Sequence, residues 1–525
     1  MLEIKFKQHN LKEEKEIFNQ RQILDFNNEK KLSLRKNKNI KKLQRKRDTE
    51  IAHLKSDYSN IDPKYIFKLN NLGESYNKIY SYLNSNNKDL ISYALNELKI
   101  YFSSSPISVN DQKAIDENNF LDIILHLGNQ FLQINDIKNI KIILDILINI
   151  QVFEEGSVFY LKKLYDKSYY DFFNICLMAF NTNDILYSLE WILLNMNNND
   201  KSGTFNLILL RSSIFSTIIK FINENGNNIL YMDDKELYLK IFNCALDLSS
   251  FEALLEEKDL EIINECLSIL IKDLLGSCNS VVLGLIYEGI YYISNLDDSF
   301  NFNKKIIEQG VTKKILKSQF YTLNYNNNIK KIILYALRII ANNLTLSEND
   351  CQIVYDLNII DFYDSILVKF DDDSLITEAV FNGLSNISVG KNKKIILNSF
   401  IFAEKKIEKY CNSTDEIKIL FIKIIIFLIY DSNYETLIFI SKTKILEYFI
   451  YLFSNNNLSD LVSSKILKVI DNYLKRFKNE YKENKEYLIV YHKFKELFDF
   501  CSKINDLDCK ELISSISKNI ENNYN

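Results

Sequence analysis

The residues that most often do chemistry in proteins are present here without the spacing that chemistry needs. The eight cysteines fall at positions 176, 244, 266, 278, 351, 411, 501 and 509. None forms a Cys-x-x-Cys motif and none has a histidine pair nearby, so they suit neither a zinc site nor a disulfide framework and read as reduced core thiols. The histidines His9, His53, His126 and His492 are scattered. His126, in the apolar run LDIILHLG, reads as a packed core residue rather than a base. With no nucleophile–base pair and no phosphate-cradling glycine loop, the chain is predicted not to be an enzyme and to need no metal or cofactor. What recurs instead is the asparagine amide, with one acceptor and two donors. It appears as Asn149 in LDILINIQ, Asn195 in EWILLNMN, Asn295 in IYYISNLD, Asn342 in LRIIANNL and Asn386 in FNGLSNIS. Trp191, the single tryptophan, stands four residues before Asn195, so on a helix both project from one face. An indole face packs methylene stems and attracts cations.

The elements that must hold these residues are helices. Eleven glycines and two prolines in 525 residues are too few to punctuate sheets or several separate domains. A hydrophobic share of 47% excludes global disorder and a disulfide-stapled secreted fold. The most apolar stretch, ILFIKIIIFLIY from Ile419 to Tyr430, is too short for a membrane span and contains Lys423, and the N-terminus starts polar, so neither membrane insertion nor secretion is expected. The asparagines above lie 46, 100, 47 and 44 residues apart, the long interval being two units with CALDLS and Asp247 between them. A period of about 42–52 residues with two or three helices per unit is the signature of armadillo or HEAT repeats, whose units stack because none can bury its apolar face alone. Between helical stretches, Asn119, Gly310 and Asn358 occupy one repeat position; glycine and asparagine are the residues that tolerate a left-handed turn there.

Charge is unevenly spread. Residues 1–50 hold 15 Lys/Arg against 8 Asp/Glu, a balance of +7, which leaves −11 on the rest of a chain whose net charge is −4. Lys30 to Arg47 (KKLSLRKNKNIKKLQRKR) has ten basic residues and no acidic one. Such a stretch cannot bury enough apolar surface to fold alone, although it can become a helix on an acidic partner. The near-neutral total argues against a general nucleic-acid binder, so no direct nucleic-acid contact is expected.

Arm and body together resemble the importin-α (karyopherin-α) nuclear import adaptors. Leu34, Arg35, Lys36 and Lys38, followed by Arg45, Lys46 and Arg47, are similar to the L-R-K-x-K … K/R-R pattern of that family's importin-β-binding arm. The stretches from Ala94, Ala336 and Leu384 look like the first, a middle and the seventh armadillo repeat, and KELFDFCSKINDLDCKELISSISKNIENNY looks like the closing helices. The resemblance implies an all-α, right-handed superhelical armadillo solenoid. It divides the chain into a basic arm (1–55), a linker (56–75) and about ten repeats (76–525). It also implies a concave groove that binds basic nuclear localisation signals as extended peptides, whose unpaired backbone groups the asparagine amides satisfy.

At the family's tryptophan and asparagine positions this chain has Asp145 with Asn149, Trp191 with Asn195, Asn243 with Asp247, Tyr291 with Asn295, Arg338 with Asn342, Asn382 with Asn386 and Ile426 with Tyr430. One full Trp/Asn pair remains, so capacity for stacking lysine is reduced. Asp200 and Glu348 lie near the family's acidic partners for signal lysines, and Asp145 and Asp247 add negative charge. The resemblance further implies importin-β, signal-bearing cargo and a nuclear export receptor as partners, shuttling between cytoplasm and nucleus, and an arm that competes with cargo through Arg45–Lys46–Arg47. The competing expectation is a cytoplasmic armadillo scaffold that assembles proteins without ferrying cargo.

Overall fold

A computed structural model describes residues 69, 72–104, 111, 115, 119–151, 164, 166–180, 183–199, 204–225, 232–248, 252–276, 280–296, 300–318, 325–344, 358–370, 372–388, 396, 404–429, 440 and a few positions from 464 to 472. Among them there is no strand. The basic arm, most of the linker, Asp200, Glu348, Tyr430 and the closing helices lie outside the described residues.

Eighteen α-helices are described. The first unit holds α1 (Leu72–Leu83), α2 (Lys88–Ser104), α3 (Phe120–Gln133), α4 (Ile137–Gln151), α5 (Lys167–Ala179) and most of α6 (Asn183–Asn199). A division into two compact units falls within α6, at Asn195. The second unit continues with α7 (Thr204–Leu210), α8 (Ser213–Asn225), α9 (Met232–Leu246), α10 (Glu257–Gly276), α11 (Ser280–Ser294), α12 (Phe302–Glu308) and α13 (Val311–Lys317). It ends, among the described residues, with α14 (Asn327–Asn343), α15 (Ile359–Phe370), α16 (Ser374–Ile387), α17 (Glu404–Cys411) and α18 (Asp415–Ile429).

The helices α4, α6, α9, α11, α14, α16 and α18 start at residues 137, 183, 232, 280, 327, 374 and 415, which is the repeat seen in the sequence. In the first unit α2 packs on α4. In the second, α9 packs on α11, α11 on α14, α14 on α16 and α16 on α18, forming a ladder of equivalent helices, while α10, α13 and α15 cover its other side. The apolar run of α18 faces this core through Phe421, Ile422, Ile425, Leu428 and Ile429. Among the described residues no single helix is long and apolar enough to cross a membrane.

Local chemistry sets the helix ends. Asn326 and Asp373 cap α14 and α16, each side chain accepting from two backbone N–H groups of the first turn, and Asp166 caps α5 in the same way through Ser168. Such caps contribute about 1 kcal/mol each. The turn residues adopt the left-handed conformation expected of them: φ is 47° at Asn119, 79° at Gly310 and 58° at Asn358. Asn135 and Asn301 do the same at φ 54° and 59° without having been singled out by the repeat position. Gly289 serves a different need. A Cβ there would lie 2.6 Å from Asn243 Oδ1 and 2.9 Å from the Leu270 side chain, so its absence lets α11 approach α9 and α10 closely.

The thiols Cys176, Cys244 and Cys266 are buried and not joined in disulfides, as expected of core cysteines. His126 departs from expectation. The buried set of α3 is Phe120, Leu121, Ile124, Leu127, Gly128 and Phe131, which places His126 on the opposite, exposed side. There its Nε2 lies 3.0 Å from the Gln130 amide nitrogen. An apolar run of sequence is therefore no guide to a helix's buried face unless its period is followed.

Candidate functional site

In the first unit the site residues sit on α4 and α6. Asn149 is half-buried on α4, and Asp145 beside it pairs with Lys99 of α2 at 2.8 Å, so its charge is met within the protein. On α6 the residues Ile185, Leu186, Leu189, Ile192 and Leu193 are buried, which turns Asp184, Tyr187 and Trp191 outward along one stripe. Trp191 is 44% exposed. Asn195, one turn further on, is buried, yet its Nδ2 has no hydrogen-bond partner among the described residues. A buried donor left unmet costs about 1–3 kcal/mol, which an incoming acceptor would recover.

In the second unit the ladder helices present a different chemistry. Asn243 on α9 is buried, and its Nδ2 donates to Leu285 O at 2.9 Å and Glu288 Oε2 at 3.3 Å, both on α11. Tyr335 on α14 donates its hydroxyl to Glu288 Oε1. Asp247 follows α9, and its backbone oxygen accepts from Asn206 Nδ2. Its side chain is solvent-accessible, yet the protein packed around the carboxyl and the neighbouring Glu288 charge push its pKa up. Burial, reinforced by Glu288, likewise pushes the Tyr335 hydroxyl above its ordinary range.

Tyr291 and Arg338 meet across α11 and α14. The guanidinium carbon lies 5.5 Å from the ring centroid, a cation–π contact, and the Tyr335 ring lies 5.5 Å from the same tyrosine. Arg338 is exposed and makes no ion pair among the described residues. Asn295 is exposed just beyond α11. Asn342 donates its amide to Ser294 Oγ at 3.0 Å, and Asn386 donates to Ala341 O at 2.8 Å. One donor of each amide therefore ties neighbouring repeats together. The sequence showed that these asparagines recur but not this internal use, because the partner, a hydroxyl or a carbonyl about 45–48 residues away, has no sequence signal. Tyr187 and Glu288 were also missed, since neither belongs to the repeated Asn-centred pattern.

The helix ladder and the period define an armadillo-repeat solenoid. Similar folds are found among solved structures. A crystal structure of an engineered protein from the Northeast Structural Genomics Consortium has a TM-score of 0.63 at 14% identity, covering 85% of this chain and 98% of that one. A structure from work on a phosphorylation switch controlling the interaction between cadherin and beta-catenin has a TM-score of 0.56 at 10% identity, covering 85% of this chain and 83% of that one. A designed armadillo repeat protein solved with the peptide (KR)4 overlays half of this chain at a TM-score of 0.38 and 16% identity. At these identities the likeness is one of fold. No family model and no curated protein matches the sequence.

Proposed function

We propose that this chain is a nuclear import adaptor of the importin-α kind. It binds basic nuclear localisation signals as extended peptides along the ladder face and joins importin-β through residues 1–55. The observation that carries this reading is the outward-facing Trp191 beside the unmet amide donor of Asn195. The ring takes the methylene stem and charge of a signal lysine, and the amide takes a peptide carbonyl. Asn149, Tyr291, Asn295, Arg338, Asn342 and Asn386, with Asp200 and Glu348, are the further residues this reading assigns to signal binding, an asparagine amide having both an acceptor and donors to offer an extended peptide. The arm residues Arg35, Lys36, Lys38, Arg45, Lys46 and Arg47 serve importin-β and, when free, compete with cargo. Carrier and cargo binding are thereby positively coupled. A nuclear export receptor returns the adaptor, which shuttles between nucleus and cytoplasm.

Because Trp191 is the only tryptophan, its fluorescence reports the site directly. Titrating the protein lacking residues 1–50 with a lysine-rich signal peptide should change the emission and give a higher affinity than the full chain. Replacing Trp191 and Asn195 together by Ala should remove most of the binding, read with a labelled peptide. Absence of binding by the arm-deleted protein would refute the adaptor reading. A second reading, a protein-assembling scaffold, gains support from the internal use of Asn342 and Asn386 and from Arg338 covering Tyr291. It predicts that residues 1–55 fail to capture importin-β in a pull-down while the repeats still bind other proteins.

A further inference from the structure

Within the second unit Tyr291 already has a cation on its face, whereas Tyr187 and Trp191 on α6 have none. Tyr187 is 48% exposed and, like Trp191, makes no stacking or cation–π contact with any described residue. The two rings lie four residues apart and so one above the other, about 6 Å along the helix axis. One further turn toward the start of α6 lies Asp184, whose carboxylate bonds Lys141 Nζ of α4 at 2.6 Å. Both partners of that ion pair are well exposed, so exchanging Lys141 for another cation costs little. Carboxylate, ring and ring thus stand in line on one helix face, with the unmet amide donor of Asn195 just beyond them.

We propose that Tyr187 is a specificity residue that makes this position select arginine over lysine in a bound peptide. The proposal rests on the reading of the chain as a binder of basic peptides. A basic side chain whose backbone lies near Asn195 runs its stem over Trp191 toward the start of α6. An arginine places its planar guanidinium over the second ring, where it stacks and offers a two-pronged contact to Asp184. A lysine gains the first ring equally. Its ammonium is a compact, strongly hydrated charge without a face to stack, so the second ring adds little. A second exposed cation–π contact corresponds to about a two- to fivefold gain in affinity.

The test uses two signal peptides that differ by a single Lys→Arg change at the position bound at Trp191, titrated against the arm-deleted protein by calorimetry. Wild type should bind the arginine peptide about two- to fivefold more tightly. Tyr187→Ala should bring the two affinities together by weakening the arginine peptide alone, and Tyr187→Phe, which keeps the ring, should preserve the preference. Equal affinities in wild type, or an equal loss for both peptides in Tyr187→Ala, would overturn the proposal while leaving the peptide-binding reading intact. If neither peptide binds, both fall.

Discussion

The Lys235–Asp273 pair offers a sharp test of how the second unit is held together. Lys235 of α9 lies 2.9 Å from Asp273 Oδ2 of α10, and the two side chains are only 7% and 2% exposed. Removing one partner of such a pair strands a charge in a poorly solvated site, at a cost of about 3–5 kcal/mol. Lys235→Met keeps the apolar stem and removes the charge, so the opening equilibrium of α9 and α10 should rise by about 100-fold or more, at 1.36 kcal/mol per tenfold. Repeats open in parts rather than all at once, so the readout is hydrogen exchange of peptides from these two helices. The penalty should also depend on pH. Burial, partly offset by Lys235 and to a smaller extent by Lys272, already pushes the Asp273 carboxyl upward, and without Lys235 most of that offset is gone. A carboxyl whose folded pKa is raised contributes its full stability below the unfolded value and loses it as pH rises through the folded value. The variant should therefore lie closest to wild type in mild acid and furthest from it at neutral pH. Lys235→Met combined with Asp273→Leu should return to within about 1 kcal/mol of wild type, because no charge is left buried. An unchanged exchange rate in Lys235→Met, or a penalty independent of pH, would refute this account.

Gly310→Ala should lower stability by about 1 kcal/mol through its left-handed φ of 79°, while Gly310→Asn should cost clearly less, both read by denaturant midpoints; open space around the position excludes a steric cause. Asn386→Ala removes the bond to Ala341 O and should cost about 1 kcal/mol, seen as faster exchange in α14 and α16 rather than in α9. Burial pushes the Cys176 thiol up to about 12 and Cys266 well above its ordinary value, so iodoacetamide at pH 8 should label both only as fast as their helices open.

The repeat and its turns were legible in the sequence because they rest on local rules. Left-handed turns need Gly or Asn, so Gly310, Asn119 and Asn358 could be read from residue type alone. The run Ile419–Tyr430 reads in the sequence only as too short for a membrane span; that its described part packs as the core-facing helix α18 is seen in the structure. Asn135 and Asn301 follow the same turn rule but fell outside the recurring position, so the pattern underreported its own chemistry.

By itself, then, the sequence determined the helical class, the repeat length, the turn residues and which amide side chains recur beside the single indole, since backbone propensity and periodic burial act over a few residues. Only the tertiary structure decided how each of those side chains is used. It turned Trp191 and Tyr187 outward while burying Asn195, stacked Arg338 on Tyr291, joined Asn342 and Asn386 to neighbouring repeats and set His126 on an exposed side. The reason is physical. A side chain's partner across a solenoid lies a whole repeat away, and its identity depends on how closely two helices approach, as at Gly289. Close packing fixes that distance only when the helices are assembled.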